Sequence, residues 1–232
     1  MARINYGVIA TKYRALGKGN VRLTQSSLFL RKPIDATKTV YNFDVLENQT
    51  QSLQADEIRL NINDEFITTQ MGLYLTGTIA TREGTVVTQL GGLRLFTNVL
   101  EQQNITQASN LIPFYDGDLK IAVNNIVYME KWDTRKHYVS TRTQLGSSSA
   151  VTTINNASWD SNTFAKDGMY SVEPMITLSG AKKNDITLRL PSAISNGAFD
   201  YTDSKGNLFT ITINGIALLL RGLNAQNAAS FQ

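Results

Sequence analysis

Apolar residues recur at every second position in short runs along this chain, the period of a β-strand with one buried face. In the clearest run, Phe209, Ile211 and Ile213 alternate with Thr210 and Thr212. Asn214-Gly215 follows, and Ile216, Leu218 and Leu220 resume the pattern. Asn-Gly suits a two-residue type I′ turn, whose central residues both take positive φ. The run over 208–221 is therefore predicted to be a hairpin, with Ile213 facing Ile216, Ile211 facing Leu218 and Phe209 facing Leu220. A one-residue slip would put its entire apolar face in water. A second hairpin is predicted from Leu119–Val123, Asn124-Asn125 and Ile126–Met129; its apolar residues do not alternate, which predicts strands covered on both faces.

Other runs agree. Ile58, Leu60 and Ile62 alternate with polar residues, and Ile67, Met71, Leu73 and Leu75 are read as one face of the next strand, with a bulge at Gly72. Ile186, Leu188 and Leu190 alternate until Pro191 stops the strand. Shorter strands are expected at 26–31, 39–45, 85–90, 137–142 and 170–178, punctuated by Asp116-Gly117, Asp167-Gly168 and Ser204–Asn207. A single short helix is expected within 97–109, on a weak stripe of Val99, Leu100 and Ile105. Two polar excursions, 101–113 and 143–166, read as long loops; the second carries Trp159, the candidate loop contact. About ten short strands with turns between them predict an all-β fold with long polar loops, a sandwich, jelly roll or Greek-key barrel, and the alternation with hairpin turns favours an antiparallel β-sandwich.

Composition narrows this picture. A chain of 232 residues, 42% of them hydrophobic, can bury a substantial core as one domain. There is no cysteine, hence no disulfide framework, thiolate metal site or cysteine nucleophile. The N-terminus leads into no apolar stretch of signal-peptide type, and the longest aliphatic run, Ile216–Leu220, is far below the ~20 residues that span a bilayer. The expectation is a chain with neither a Sec signal nor a membrane span.

Charge is unevenly spread. Seven of the 22 basic residues and none of the 19 acidic ones fall in residues 1–34, so this segment carries about +7 and the remainder about −4. The chain is accordingly divided into a basic N-terminal arm, 1–34, and a single β-sandwich domain, 35–232. Arg3, Lys12, Arg14, Lys18, Arg22, Arg31 and Lys32 are the candidate arm contacts, toward an acidic neighbour or nucleic acid.

Catalytic patterns are missing. His137, the one histidine, follows Arg135-Lys136 at the expected start of a strand; two cationic neighbours disfavour an imidazolium, and a lone histidine without cysteine anchors no ordinary zinc site. Paired acids occur at Asp56-Glu57, Asp64-Glu65, Asp116 with Asp118, and Asp200 with Asp203. Each pair sits at a turn, where local hydrogen bonding accounts for them better than glycoside chemistry. Asp116-Gly117-Asp118 lacks the other oxygen ligands of a calcium loop. No phosphate-binding or dinucleotide glycine motif is present. The sequence therefore predicts a non-enzymatic protein, with no catalytic residue, cofactor or metal.

The C-terminal third, from Tyr170–Gly180 through Lys183–Pro191 to Leu220–Asn227, resembles virion structural proteins of bacteriophages infecting Bacteroidetes-type hosts. Asn63–Phe66 and Ile126-Val127-Tyr128 are similar to the same group. The resemblance implies a jelly-roll-like fold, symmetric self-association with copies of itself and other virion proteins, and a place in a virus particle assembled in the host cytoplasm. It carries over no site residues. Two readings stay open: a capsid shell or auxiliary capsid protein, favoured by the basic N-terminus, and a receptor- or carbohydrate-binding module of a viral fibre or adhesin, in which Trp159 and the 143–166 loop would meet ligand.

Overall fold

The computed structural model describes residues 7, 9–11, 21–47, 57–83, 86–89, 93–96, 109–138, 168–202 and 208–227. Of these, 66% lie in strands and 11% in helical turns, as an all-β sandwich requires. Two antiparallel sheets pack face to face. The larger holds β1 (Val21–Pro33), β3 (Glu65–Glu83), β8 (Met169–Ser179) and β11 (Leu208–Asn227), with the short β4 (Val86–Gln89), β5 (Arg94–Phe96) and β10 (Gly197–Thr202) on the far ends of β3 and β11. The smaller runs β2 (Val40–Phe43), β9 (Asn184–Arg189), β6 (Asp118–Val123), β7 (Ile126–Asp133).

The pairing has one logic. β6 pairs β7, β3 pairs β8, β2 pairs β9 and β1 pairs β11, all antiparallel. The chain is thus one long two-stranded ribbon, folded so that successive pairs alternate between the two sheets. That connectivity is a jelly roll. The tip of the ribbon is the turn Asn124-Asn125, whose φ values of 50° and 66° are those of a type I′ turn. The hairpin predicted there is present.

The other predicted hairpin is not. Residues 208–227 form the single strand β11, which pairs β3 from Leu208 to Ala225. Ile213 stands opposite Gly77 and Gly215 opposite Thr76, leaving Asn214 as the extra residue of a β-bulge. Neither Asn214 nor Gly215 has the positive φ of a type I′ turn. Asn214 is instead held from β1: its Oδ1 accepts from Arg31 Nη2 at 3.0 Å and its carbonyl from the Ile34 N–H at 3.0 Å. Gly215 sits where a Cβ would lie 2.5 Å from Thr76 Oγ1, so the bulge closes around hydrogen. The residues expected on the apolar face, from Ile211 to Leu220, are nonetheless buried together.

A second bulge corrects the reading of β3. Thr68 pairs Gly222 and Gln70 pairs Arg221, so the extra residue is Thr69 and not Gly72. Thr69 Oγ1 donates to the Arg221 carbonyl at 3.0 Å. The bulge reverses the alternation. Phe66 before it and Met71, Leu73 and Leu75 after it face the main core, while Ile67 faces the outside of the sheet with Leu223 and Ala225. Gly222 permits this approach, since a Cβ there would meet the Ile67 carbonyl at 1.8 Å.

Across the middle of the larger sheet, Leu30, Leu218 and Leu73 stand in one row on β1, β11 and β3, all fully buried. They meet Ile121, Ile186, Leu188 and Phe43 from the smaller sheet in one continuous core. The run 57–62 is not a strand. Ile58 and Leu60 make only isolated bridges, to Phe29 and Leu46, and Ile58 and Ile62 remain 51% and 62% exposed. That segment caps the free edge of β1 through paired Phe29–Ile58 hydrogen bonds of 2.8 and 3.0 Å.

The proposed arm is also revised. Val21–Pro33 is strand β1, in register with β11 over its full length. Ile9, in a helical turn, is buried against Ile67, Leu223 and Ala225 on the outer face of the sheet. The segment has no carboxylates of its own, so a count of charge along the chain reads as part of an arm residues 21–33, which are a strand of the larger sheet. The helix expected over 97–109 falls outside the described residues apart from Ser109, which opens the 3-10 segment Ser109–Asp116. The strand expected at 137–142 begins in a different structure, the 3-10 turn Thr134–His137.

Candidate functional site: the β7 edge and the turn behind it

β7 is the terminal strand of the smaller sheet, and among the described residues no strand pairs with its outer edge. At its start, Ile126, Val127 and Tyr128 are 61%, 41% and 47% exposed, whereas Ile121, Ala122 and Val123 beside them on β6 are buried. Three adjacent exposed residues in a strand mean that both of its faces are bare, the reverse of the two-sided cover expected from the sequence. Two register shifts, between Leu119 and Ile121 and between Ile121 and Ala122, each put an extra residue in β7. Such bulges bend an edge and block run-on strand addition. Lys120 and Glu130 face each other at 3.7 Å across β6 and β7, an exposed pair that contributes little.

At the other end, β7 runs into a tightly built turn. Asp133 caps it, accepting from the Arg135 N–H at 2.9 Å. Thr134, fully buried, accepts from the Gly117 N–H at 2.9 Å and donates to the Gly117 carbonyl at 3.1 Å. Arg135 pairs with Asp116 at 2.9 Å. His137 is fully buried. Its Nε2 lies 2.9 Å from Trp132 Nε1 and its Nδ1 2.7 Å from the Gly168 carbonyl oxygen. The indole N–H can only donate and a carbonyl can only accept, so the ring is the neutral Nδ1–H tautomer. Tyr170 meets the imidazole edge-on at 5.4 Å, and the Lys136 ammonium lies 4.0 Å over the Trp132 ring. Loss of water pushes the imidazole pKa down to about 4; the Gly168 carbonyl opposes that shift and the Lys136 charge adds to it. Cationic neighbours were the reason read from sequence, but burial is the larger cause.

The predicted contact residues divide. Arg3, Lys12, Arg14, Lys18 and Trp159 lie outside the described residues, as do Asp56 and Asp203. Arg22 is exposed on β1. Arg31 and Lys32 are engaged within the fold: Arg31 binds Asn214, and Lys32 is paired with Asp44. Glu57, Asp64 and Asp200 have structural partners too, as Asp116 does. Glu57 is buried against Arg59 at 2.9 Å, with side chains 4% and 7% exposed, and its Oε1 accepts from the Arg31 N–H. Asp64 accepts from Asn224, and Asp200 from Thr210. Among the described residues, no three His, Asp or Glu side chains are grouped to hold a metal, and no helix is long and apolar enough to cross a membrane.

Neither a family model, nor a curated protein, nor a solved structure matches the chain.

Proposed function

We propose that this chain is a non-enzymatic structural protein of a virus particle, a shell or auxiliary capsid component that works by symmetric self-association. The observation that carries the reading is the bare apolar end of β7, Ile126-Val127-Tyr128, at the edge of the smaller sheet, whereas the edge strand β1 of the larger sheet is met at Phe29 by Ile58. Exposed apolar patches on soluble proteins mark contact surfaces, and the β7 bulges favour a finite contact over open-ended strand addition. The jelly-roll connectivity supports it by analogy of fold, since that fold serves capsid shells as well as lectins. Arg3, Lys12, Arg14, Lys18 and Arg22 supply positive charge for an acidic face of a neighbour or for nucleic acid.

The test is assembly. Purified protein is sized by light scattering and imaged by electron microscopy, beside Val127→Asp and Tyr128→Asp. Both sites are more than two-fifths exposed, so the fold should survive, checked by an unchanged denaturation midpoint. The expected result is discrete oligomers from the wild-type chain and monomers from the variants. Oligomers that persist in both variants, or a wild-type chain that stays monomeric at high concentration, would refute the β7 contact.

A further inference from the structure

We propose that His137 is an acid-released pin between the two sheets: as the neutral Nδ1–H tautomer it ties Trp132 of β7 to the start of β8, and protonation makes it let go of Trp132. Trp132 belongs to the smaller sheet, Gly168 directly precedes β8 of the larger sheet, which carries Tyr170, and the imidazole bridges Trp132 and Gly168 through its two nitrogens. Protonation puts an N–H on Nε2, directed at the indole N–H 2.9 Å away. Two donors cannot share that line, and Trp132 has no acceptor to offer in exchange. The bond to the Gly168 carbonyl survives and strengthens, because its donor is now charged. Release is therefore one-sided. It frees the Trp132 end of β7 while His137 stays on Gly168, at the entry to β8.

The surroundings hold the rest of the turn still. Thr134 remains locked to Gly117 and Arg135 to Asp116, so the change is confined to Trp132 and the ring beside it. The ionisable groups on the adjoining elements include Lys136 and Arg135 on the turn with Tyr138 after it, Glu130, Lys131 and Asp133 on the second half of β7, Tyr115 and Asp116 on the 3-10 segment, Glu65 and Tyr74 on β3, and Tyr170 and Glu173 on β8. Tyr170 meets the ring, and Lys136, over the indole, is the nearby charge that acts on it; among the described residues no carboxylate is paired with the imidazole to hold a proton there. The pin accordingly stays shut through neutral pH and opens only well below the usual histidine range, near pH 4. This inference is independent of the assembly reading, since it concerns contacts within one chain.

His137 is the only histidine of the chain, so the imidazole region of a ¹⁵N spectrum belongs to one residue. The spectrum and the Trp132 emission, the latter in a Trp159→Phe background, are followed from pH 7.5 to 3.5. The expected result is the Nδ1–H tautomer at neutral pH, a single titration near pH 4, and a change in Trp132 emission at the same midpoint with far-UV circular dichroism unchanged. Trp132→Phe removes the donor that favours the neutral ring and should raise the midpoint by about half to one unit. His137→Gln keeps an acceptor for the indole without a titrating group and should abolish the emission change. An Nε2–H tautomer, a midpoint near 6.5, or loss of the β signal at the same pH would each overturn the pin. The first two do so from the wild-type histidine alone, whether or not a variant folds.

Discussion

Leu218→Ala tests the continuity of β11. Leu218 is fully buried, between Leu30 on β1 and Leu73 on β3, and the three side chains face the smaller sheet. Truncation to alanine costs about 2–5 kcal/mol in well-packed cores, the upper end applying where the surroundings cannot collapse into the space. Here the backbone on either side is fixed by ladder pairing to two strands at once, so about 3–5 kcal/mol is expected. With a urea m-value of about 2–3 kcal/mol/M for a chain of this size, the midpoint should fall by about 1–2.5 M. Equilibrium urea unfolding followed by tryptophan emission and far-UV circular dichroism measures it, with Ile126→Ala as the control. That residue is mostly in water, and its truncation should change stability by no more than about 0.5 kcal/mol. Equal midpoints for Leu218→Ala and wild type would refute the three-strand row, and a larger drop for Ile126→Ala would refute the exposed β7 edge.

Gly215→Ala should destabilise by about 1–3 kcal/mol, because its Cβ would lie 2.5 Å from Thr76 Oγ1. Thr76→Ala should restore part of that loss in a double-mutant cycle, which a hairpin turn at Asn214-Gly215 would not allow. Stability should fall on acidification from pH 6.5 toward 4: the folded chain holds His137 near 4 and the unfolded one near 6.5, so the unfolded state takes up the proton first. The loss is about 3 kcal/mol, complete below the folded value and absent above the unfolded one, and His137→Gln should flatten that part of a thermal-stability profile against pH. Deletion of residues 2–20, which leaves β1 whole, should weaken assembly or nucleic-acid binding. In the full chain the same association should fall steeply between about 50 and 200 mM salt if phosphate is the partner, as titration in a sizing or mobility assay would show.

Alternation made the core legible. Ile186, Leu188, Leu190, Ile211, Ile213, Ile216, Leu218 and Leu220 were all expected inside and are all buried. The connectivity of the last five was not legible, for a geometric reason. A two-residue turn after Ile213 and a one-residue bulge at Asn214 both move the apolar set from odd to even positions, so the same pattern describes a hairpin and a continuous strand. The choice is made by β3, long enough to pair β11 on both sides of the bulge. Charge misled in a similar way: the partners of Arg31 and Lys32 are Asn214 on β11 and Asp44 just past β2, which a count along residues 1–34 does not reach. The His137 pin left no local signal, because Gly168 lies 31 residues downstream. The exposure of Ile126–Tyr128 was hidden because apolar composition alone does not tell a covered strand from a bare one.

The ribbon pairing has a consequence for synthesis. Val21 pairs with Asn227 and Pro33 with Gly215, so β1 leaves the ribosome some two hundred residues ahead of its partner. At about 5–20 residues per second it waits roughly 10–40 s, while the tip at Asn124-Asn125 can close as soon as it emerges. The order of closure runs from the tip outward, and the first strand made is the last one paired. During that interval β1 is a lone strand with Leu28 and Leu30 at its centre, the kind of segment that nascent chains lose to aggregation. Arg22, Arg31 and Lys32 flank those leucines on either side. In the finished protein two of them are bound within the fold; on the growing chain all three would act first as gatekeepers, keeping neighbouring nascent chains apart until β11 arrives.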